Sequence, residues 1–365
     1  MKKKQVFLSV FIKTVFALTI MLLAAKVHAQ TSHSDTIKIG LLISNPQFQD
    51  AKRGAEFAIK KAAEQNFMGE RNIHLVTRSM EGPWGTGAKQ TVDLVFNQKV
   101  WAIVGSHDGK NAHLAEQVIA KTQVVYISAW SGDPTLAQAY VPWFFSMVPN
   151  NIKQAKSLYT EICSHGDPGK VCVVSDQSYD SENALKYFLE ECKNHKVAEP
   201  IQLKYDAADF RAEEVLSEIK RANAKVLILF GKPQESVLIQ KKIQGNALPL
   251  KVFTTLESLG EYPGNSFSWN DFKGATVPDL QYIRTTKGKQ FENDYLKEFG
   301  ENASPTAVYS YDAVWLILKQ IKDSGYDREA FKQQMRDANL LGLTGNIQFD
   351  SIGNRIQKVK WILVE

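Results

Sequence analysis

The feature that most constrains this chain is an alternation of short apolar runs with amphipathic helical stretches, carried through twice. IKIGLLIS (37–44) reads as a buried strand, and AKRGAEFAIKKAAEQN (51–66) as a helix with Ala55, Ala58, Ile59 and Ala62 on one face. NIHLVTRS (72–79), WAIVGS (101–106) and VVYISAW (124–130) are further strands. Between them lie the helical patterns TGAKQTVDLVFNQ (86–98) and GKNAHLAEQVIAKT (109–122). Strands alternating with helices over short connections imply a parallel sheet covered by helices on both faces.

After FFSMVPNN (144–151) the pattern restarts. Helix NIKQAKSLYTEIC carries Ile152, Ala155, Leu158, Tyr159 and Ile162 on one stripe; strand KVCVVSDQ (170–177) and a helix opening on Ser181 follow. Strands PIQLKYDA, KVLILFG and LKVFTTLES then alternate with helices FRAEEVLSEIKRAN and QESVLIQKKIQ, a second doubly wound unit of similar size. The tail differs: three helical patterns (287–300, 306–325, 327–339) precede a β segment that reads as a hairpin turning at Ser351-Ile352-Gly353-Asn354. The fold class expected is therefore α/β, two doubly wound parallel-sheet lobes. The tail supplies elements to one or both, so the backbone crosses between them more than once.

Several function classes are narrowed by composition. Met1-Lys2-Lys3-Lys4, the apolar run TVFALTIMLLAA (14–25) and small residues at Val27-His28-Ala29 form an export-signal pattern, with cleavage expected after Ala29. A spanning helix needs about 20 apolar residues, more than this run offers. Of the net charge of +5, Lys2, Lys3, Lys4, Lys13 and Lys26 supply five units, so the mature chain is near neutral and gives no basic face for nucleic acid. There are three cysteines. Cys172, inside VCVV, reads as a small buried hydrophobe. Cys163 and Cys192 each close a helical pattern and are the better candidates for a pair in an oxidising compartment, a point left open. No spacing suggests a zinc site. No G-x-S-x-G, G-x-G-x-x-G, G-x-x-x-x-G-K-[ST] or H-E-x-x-H motif is present, and no helix-turn-helix precedes the first strand. The chain is not expected to be an enzyme, and no cofactor is implied.

In open parallel sheets, ligands bind beyond the C-terminal ends of strands. Candidates are thus Ser44 to Phe48, the loop around Trp84, Ser106-His107-Asp108-Gly109, Trp130-Ser131-Gly132-Asp133, Ser178-Tyr179-Asp180, Gly231-Lys232 and Glu257-Ser258. Several precede a helix, whose free N–H groups and partial positive charge can hold a carboxylate. Ser131 and Gly132 read as a small-anion cradle; alternatively Ser131 and Asp133 only shape the turn and cap the next helix. Trp130 and Trp84 read either as packing or as walls for a ligand with a sizeable apolar part. His107 is a hydrogen-bonding candidate, not a metal ligand.

With IKIGLLIS followed by RGAEFAIKKAAEQN, WAIVGS followed by VVYIS, SPTAVYSYDAVWLILKQIKDSG and GLTGNIQFDSIGNR, the chain resembles the periplasmic type I solute-binding proteins of the Leu/Ile/Val-binding branch. The resemblance implies two lobes joined by a three-strand hinge, ligand capture by hinge closure, and delivery to an ABC permease. It places crossings near Pro149, Val277 and Leu343, so that lobe one takes 36–148 plus about 278–342 and lobe two 149–277 plus about 343–365. The family's Ser at the helix after the third strand falls on or beside Gly109. Its Ala/Ser-Thr pair falls on Ser131 and Gly132, without the Thr hydroxyl. Its second-lobe aromatic matches Tyr179 and its amine-pairing acid Glu257. Lobe one would thus hold the ligand through Ser106, Ser131 and Gly132. The departures make a standard branched-chain amino acid doubtful and favour a larger or aromatic organic acid, an amide or a modified amino acid. The expected protein is a periplasmic monomer whose partners are a small-molecule ligand and a permease; the alternative is a sensor presenting the solute to a signalling receptor.

Overall fold

In the computed structural model the described residues are 36–105, 108–163, 169–262 and 267–365. The export signal, its cleavage point, Ser106 and His107 lie outside them.

The first sheet is formed by β1 (Thr36–Ile43), β2 (Asn72–Ser79), β3 (Ala102–Gly105), β4 (Val125–Ser128) and β5 (Phe144–Ser146), in the order β2-β1-β3-β4-β5, all parallel. The helices between them are α1 (Asp50–Glu64), α2 (Thr86–Val92), α3 (Gly109–Thr122) and the short α4 (Pro134–Gln138). β3, β4 and β5 are buried throughout, which is why their sequences carry no polar alternation.

The second sheet repeats the order. β6 (Val171–Ser175), β7 (Ile201–Lys204), β8 (Val226–Leu229), β9 (Lys251–Thr254) and β10 (Ala275–Pro278) run β7-β6-β8-β9-β10 in parallel. A last strand, β13 (Trp361–Leu363), is added antiparallel to β10. The helices of this lobe are α5 (Asn151–Cys163), α6 (Tyr179–Asn194), α7 (Ala212–Ala222) and α8 (Pro233–Gly245). Ile152, placed by its spacing on the buried stripe of α5, is 41% exposed; Asn151 and Gln154 are buried there instead. Cys172 is buried, and Cys163, Cys172 and Cys192 are all free thiols, so the pairing considered for Cys163 and Cys192 is not formed.

The tail returns to the first lobe. α9 (Thr286–Phe299) and α10 (Pro305–Asp323) close over α1, with Phe57 edge-on to Phe291, Tyr295 and Phe299. Gly54 makes that packing possible: a Cβ there would lie 2.0 Å from the Ala307 carbonyl oxygen. After α11 (Arg328–Arg336) a hairpin of β11 (Leu340–Gly342) and β12 (Gly345–Ile347) turns at Leu343-Thr344. The turn expected at 351–354 follows it, closed by the antiparallel bridge from Phe349 to Arg355, with Asp350 N–H donating to the Asn354 carbonyl and Ile356 N–H to the Gln348 carbonyl (2.8 Å each).

Three passages of chain thus link the lobes, at 147–150, 279–285 and 348–360. Arg355, fully buried, ties the first and third together. Its guanidinium donates to the Met147 carbonyl (3.0 Å), to Thr344 Oγ1 (2.9 Å) and carbonyl (2.8 Å), and to the Asn346 carbonyl. Asp312, in the middle of α10, accepts from the Leu343 and Thr344 N–H groups and the Thr344 hydroxyl. The YDA of the long helix and the GNR of the tail therefore form one hinge lock.

Candidate functional site

Both sheets share the strand order 2-1-3-4-5, whose switch point lies between the first and third strands. The loops leaving those strands face each other across a cleft of about 340 Å³, within the range of small-molecule sites. Lobe one supplies Ile43 and Ser44 after β1, Phe48 and Ala51 at the start of α1, Asp108 and Lys110 at the start of α3, Trp130 after β4, and Thr306 in α10. Lobe two supplies Ser178, Tyr179 and Asp180 after β6, Lys232 and Pro233 after β8, and Glu257, Gly260 and Glu261 after β9.

Among the residues singled out from sequence, Trp130, Tyr179 and Glu257 line this cleft. Trp130 is buried, its indole edge-on to Tyr309 at 5.2 Å, with Gly260 of the opposite lobe packed against Nε1. Gly109 sits where the lobes touch: a Cβ on it would meet Asp180 Oδ1 and Tyr179 Cε1, each at 2.9 Å. Ser131 and Gly132 turn inward, away from the lining. Ser131 Oγ accepts from the Asp133 N–H (3.3 Å), and the Gly132 carbonyl accepts from the Asn151 N–H (2.7 Å). Trp84 is 80% exposed and stands outside the cleft, with the Lys110 ammonium 6.0 Å over its ring.

Helix N-termini do reach the cleft, and the chain's own carboxylates hold most of them; the start of α6 has no side-chain cap. Asp108 caps α3 by accepting from Asn111 N–H (2.7 Å), and its other oxygen takes the Ser44 hydroxyl (2.5 Å). Asp180, from lobe two, accepts from Gly109 N–H at the same helix start (2.8 Å). Glu261, also from lobe two, takes the N–H groups of Gln49 and Asp50 at the start of α1 (2.9 Å to Asp50). Asp133 caps α4 through Thr135 N–H (2.9 Å), and Asp176 takes the N–H groups of Ser178 (2.8 Å) and Lys232 (3.2 Å).

A third contact between the lobes joins the Tyr179 hydroxyl to Asp133 Oδ2 (2.6 Å), which also meets His113 Nε2 (3.0 Å). Burial opposes the Asp133 charge, but the hydrogen bonds from His113, Tyr179 and Thr135 outweigh it and hold the carboxyl at about 2. In return the Asp133 contact, and then Glu116, raise His113 to about 9, so the ring is an imidazolium at neutral pH. The remaining acids are pushed the other way. Burial, then Asp108, lifts Asp180 to about 7; burial, then Asp50, lifts Glu261 to about 8. Glu257 is pushed well above the carboxylate range by burial and then by Asp180, Asp176, Asp108 and Asp133. No hydrogen bond reaches Glu257 from any described residue.

Reading strand ends alone reached Ser44, Phe48, Asp108, Ser178, Asp180 and Lys232 as candidates, and all six line the cleft. Glu261, Gly260 and Thr306 were missed. Glu261 follows a one-turn 3₁₀ segment at Leu256–Leu259, and Thr306 opens a helix more than 250 residues after β1. Neither carries a local signal that would bring it to this cleft.

A family model described as periplasmic binding protein matches residues 36–363. Among solved structures, the chain is similar to the branched-chain amino acid transporter substrate-binding protein LivJ of Streptococcus pneumoniae in complex with isoleucine, with TM-score 0.73 and 18% identity over 90% of this chain and 96% of that one. It is similar to a solute-binding protein from R. palustris in complex with benzoate, with TM-score 0.77 and 15% identity over 90% and 93%. A curated relative, the glutamate [NMDA] receptor subunit 1 of Drosophila willistoni, is 21% identical over 93% of this chain but only 35% of its own length, so the chain spans about a third of that receptor subunit.

Proposed function

Because the chain belongs to the periplasmic binding protein family, a family of non-catalytic solute binders, we propose that it is an exported protein that captures a small organic solute between its two lobes and delivers it to an ABC importer. In this reading the lobes are 36–148 with about 278–342, and 149–277 with about 343–365, moving about three passages, of which Arg355 holds the first and third together. Export would remove the first 29 residues, and the mature protein would act as a monomer. No described helix is long and apolar enough to cross a membrane, which fits a permease as a separate partner.

The observation that carries the reading is the 340 Å³ cleft, walled by Ser44, Phe48, Asp108 and Trp130 on one side and Tyr179, Asp180, Lys232 and Glu257 on the other. Contacts that exist only when the lobes meet, such as Tyr179 with Asp133, favour a closed state, and a solute filling the cleft adds to them. The test is a thermal-shift screen of the mature protein against amino acids, amides, amines and aromatic acids. A bound solute at a hundred times its Kd adds about 2.7 kcal/mol of stability. Failure of every member of a broad small-metabolite library to raise the melting temperature would overturn the reading.

A further inference from the structure

We propose that the solute is an organic cation without a carboxylate, an amine whose charge lies beside Glu257 and whose apolar part lies against Trp130, because most anion-holding positions of this cleft are already filled by the chain's own carboxyl groups, which crowd its lining. The proposal rests on the solute-binding reading above and names the chemical class that this cleft selects.

A carboxylate needs donors, and most of the donors here are engaged. The helix starts that line the cleft are those of α1, α3, α6, α8 and α10. Glu261 occupies the first and Asp108 and Asp180 the second, Asp176 takes the Ser178 and Lys232 N–H groups ahead of α6 and α8, and Ser304 caps α10. The first turn of α6 has no side-chain cap, but it carries the Asp180 carboxyl itself. Asp180 and Glu261 come from the opposite lobe, so each stands where an incoming ligand carboxylate would have to stand to bridge the lobes. An anionic solute would displace a carboxylate and then sit among others.

The charge left over is negative. The lining holds the carboxyl groups of Asp108, Asp180, Glu257 and Glu261 against two lysines. Both lysines are exposed, and the Lys110 ammonium reaches out over Trp84 at the rim. Glu257 has no hydrogen-bond donor among the described residues, and Glu261 Oε2 is buried without a partner. A carboxyl group taken out of water and set near other carboxyls keeps its proton until a cation arrives to pair with it. Among the described residues no group of three His, Cys, Asp or Glu side chains is placed to hold a metal ion. The cation is therefore organic, and the walls agree: Phe48, Trp130, Tyr179, Ile43 and Pro233 surround the acids with apolar and aromatic surface that suits the stem of an amine.

The test uses matched solutes that differ only in charge: 2-phenylethylamine, phenylalanine and 3-phenylpropanoate, and in parallel 3-methylbutylamine, leucine and 4-methylpentanoate. Calorimetric titration of the mature protein should show each amine at least tenfold tighter than its amino acid, with no binding of the acids. Asp180→Ala should narrow the gap between amine and amino acid at least tenfold by freeing the Gly109 N–H. Glu257→Gln should weaken the amines at least tenfold without lowering the melting temperature, which keeps the proposal testable if the Asp180 variant does not fold. An amino acid or acid that binds more tightly than its amine overturns the cation assignment and leaves solute binding standing. So does a neutral solute as the only hit of the wider library, whereas no hit at all overturns both.

Discussion

Arg355, at the hinge, and Glu257, on the floor of the cleft, are both ionisable groups drawn out of water, and their surroundings are opposite. Arg355 directs its guanidinium at three carbonyls and a hydroxyl within 3.2 Å, with Asp312 held nearby by Leu343 and Thr344. Glu257 receives no donor from the described residues and feels four other carboxylates. A buried charge whose partners are all supplied by the fold serves the fold. One left without partners, beside an open cavity, serves something that arrives from outside. The difference separates structural from ligand-facing charge without reference to any relative.

The largest effect expected from that contrast lies at the hinge. Arg355→Ala removes the donors of the Met147, Thr344 and Asn346 carbonyls and leaves Asp312 without its countercharge. Loss of one member of a buried ionic network costs about 3–5 kcal/mol, a large share of the roughly 5–15 kcal/mol that holds a domain together. Arg355→Lys should recover little, because a single ammonium cannot reproduce the planar fork. Urea denaturation followed by circular dichroism checks both. An Arg355→Ala protein within 1 kcal/mol of the parent, on the scale of ordinary surface substitutions, would remove the distinction between the two sites.

A smaller and opposite effect is expected in the cleft. Glu257→Gln keeps the shape and removes a repelled charge, so the ligand-free protein should gain about 1 kcal/mol at pH 8, or 2–4 °C for lobes of this size. The pH dependence carries the same sign. Asp180 and Glu261, raised to about 7 and about 8, bind more protons folded than unfolded. Their contribution is complete below the ordinary carboxylate range and is lost as pH rises through those values. His113, raised to about 9 by Asp133, likewise contributes fully below its ordinary value near 6.5 and loses that contribution as pH rises through 9. Asp133, held at about 2, contributes fully above the ordinary carboxylate value and loses that contribution only as pH falls into strong acid, outside this window. Melting temperatures should therefore decline from about pH 5 to pH 9, and a saturating amine should flatten the decline by pairing the cleft acids. A melting temperature that climbs across this window would show that these acids are compensated in solution.

How far the sequence disclosed these two sites follows from where their information lies. The order of strands and helices was legible because each element carries its own period: continuous burial in β3, β4 and β8, an alanine stripe in α1. β5 and β10 were not, because three- and four-residue strands that begin a crossover look like loop. The turn at Ser351-Ile352-Gly353-Asn354 was legible from its own residues, whereas the hairpin at Leu343-Thr344 was not, because Asp312, which fixes it, lies 31 residues upstream. In the cleft, the rule that ligands meet strand ends recovered lining residues from both lobes. It could not say which polar groups were already spoken for. That Asp180 reaches Gly109 and Glu261 reaches the start of α1 depends on how the lobes face each other, with 71 and 211 residues between the partners.

The two tryptophans give the finest version of the comparison. Both stand in loops near strand ends, and from sequence alone both are candidate walls for a ligand. Trp130 is 5% exposed, packs on Tyr309 and lines the cleft; Trp84 is 80% exposed, with the Lys110 ammonium 6.0 Å over its ring. Trp130→Ala removes an aromatic wall and opens a cavity, and should cost at least tenfold in affinity for any solute the cleft accepts, with about 3–5 kcal/mol of stability. Trp84→Ala removes a ring already in water, and stability should stay within about 0.5 kcal/mol. The exposed cation–π contact is worth about 0.5–1 kcal/mol at most, and losing it frees Lys110 rather than stranding it. Affinity should therefore change by less than about fivefold, the equivalent of such an energy at room temperature. Titration of both variants against one ligand checks the pair. A large loss with Trp84→Ala would mean that the rim folds over the solute on binding, extending the ligand-facing region beyond the cleft walls seen here.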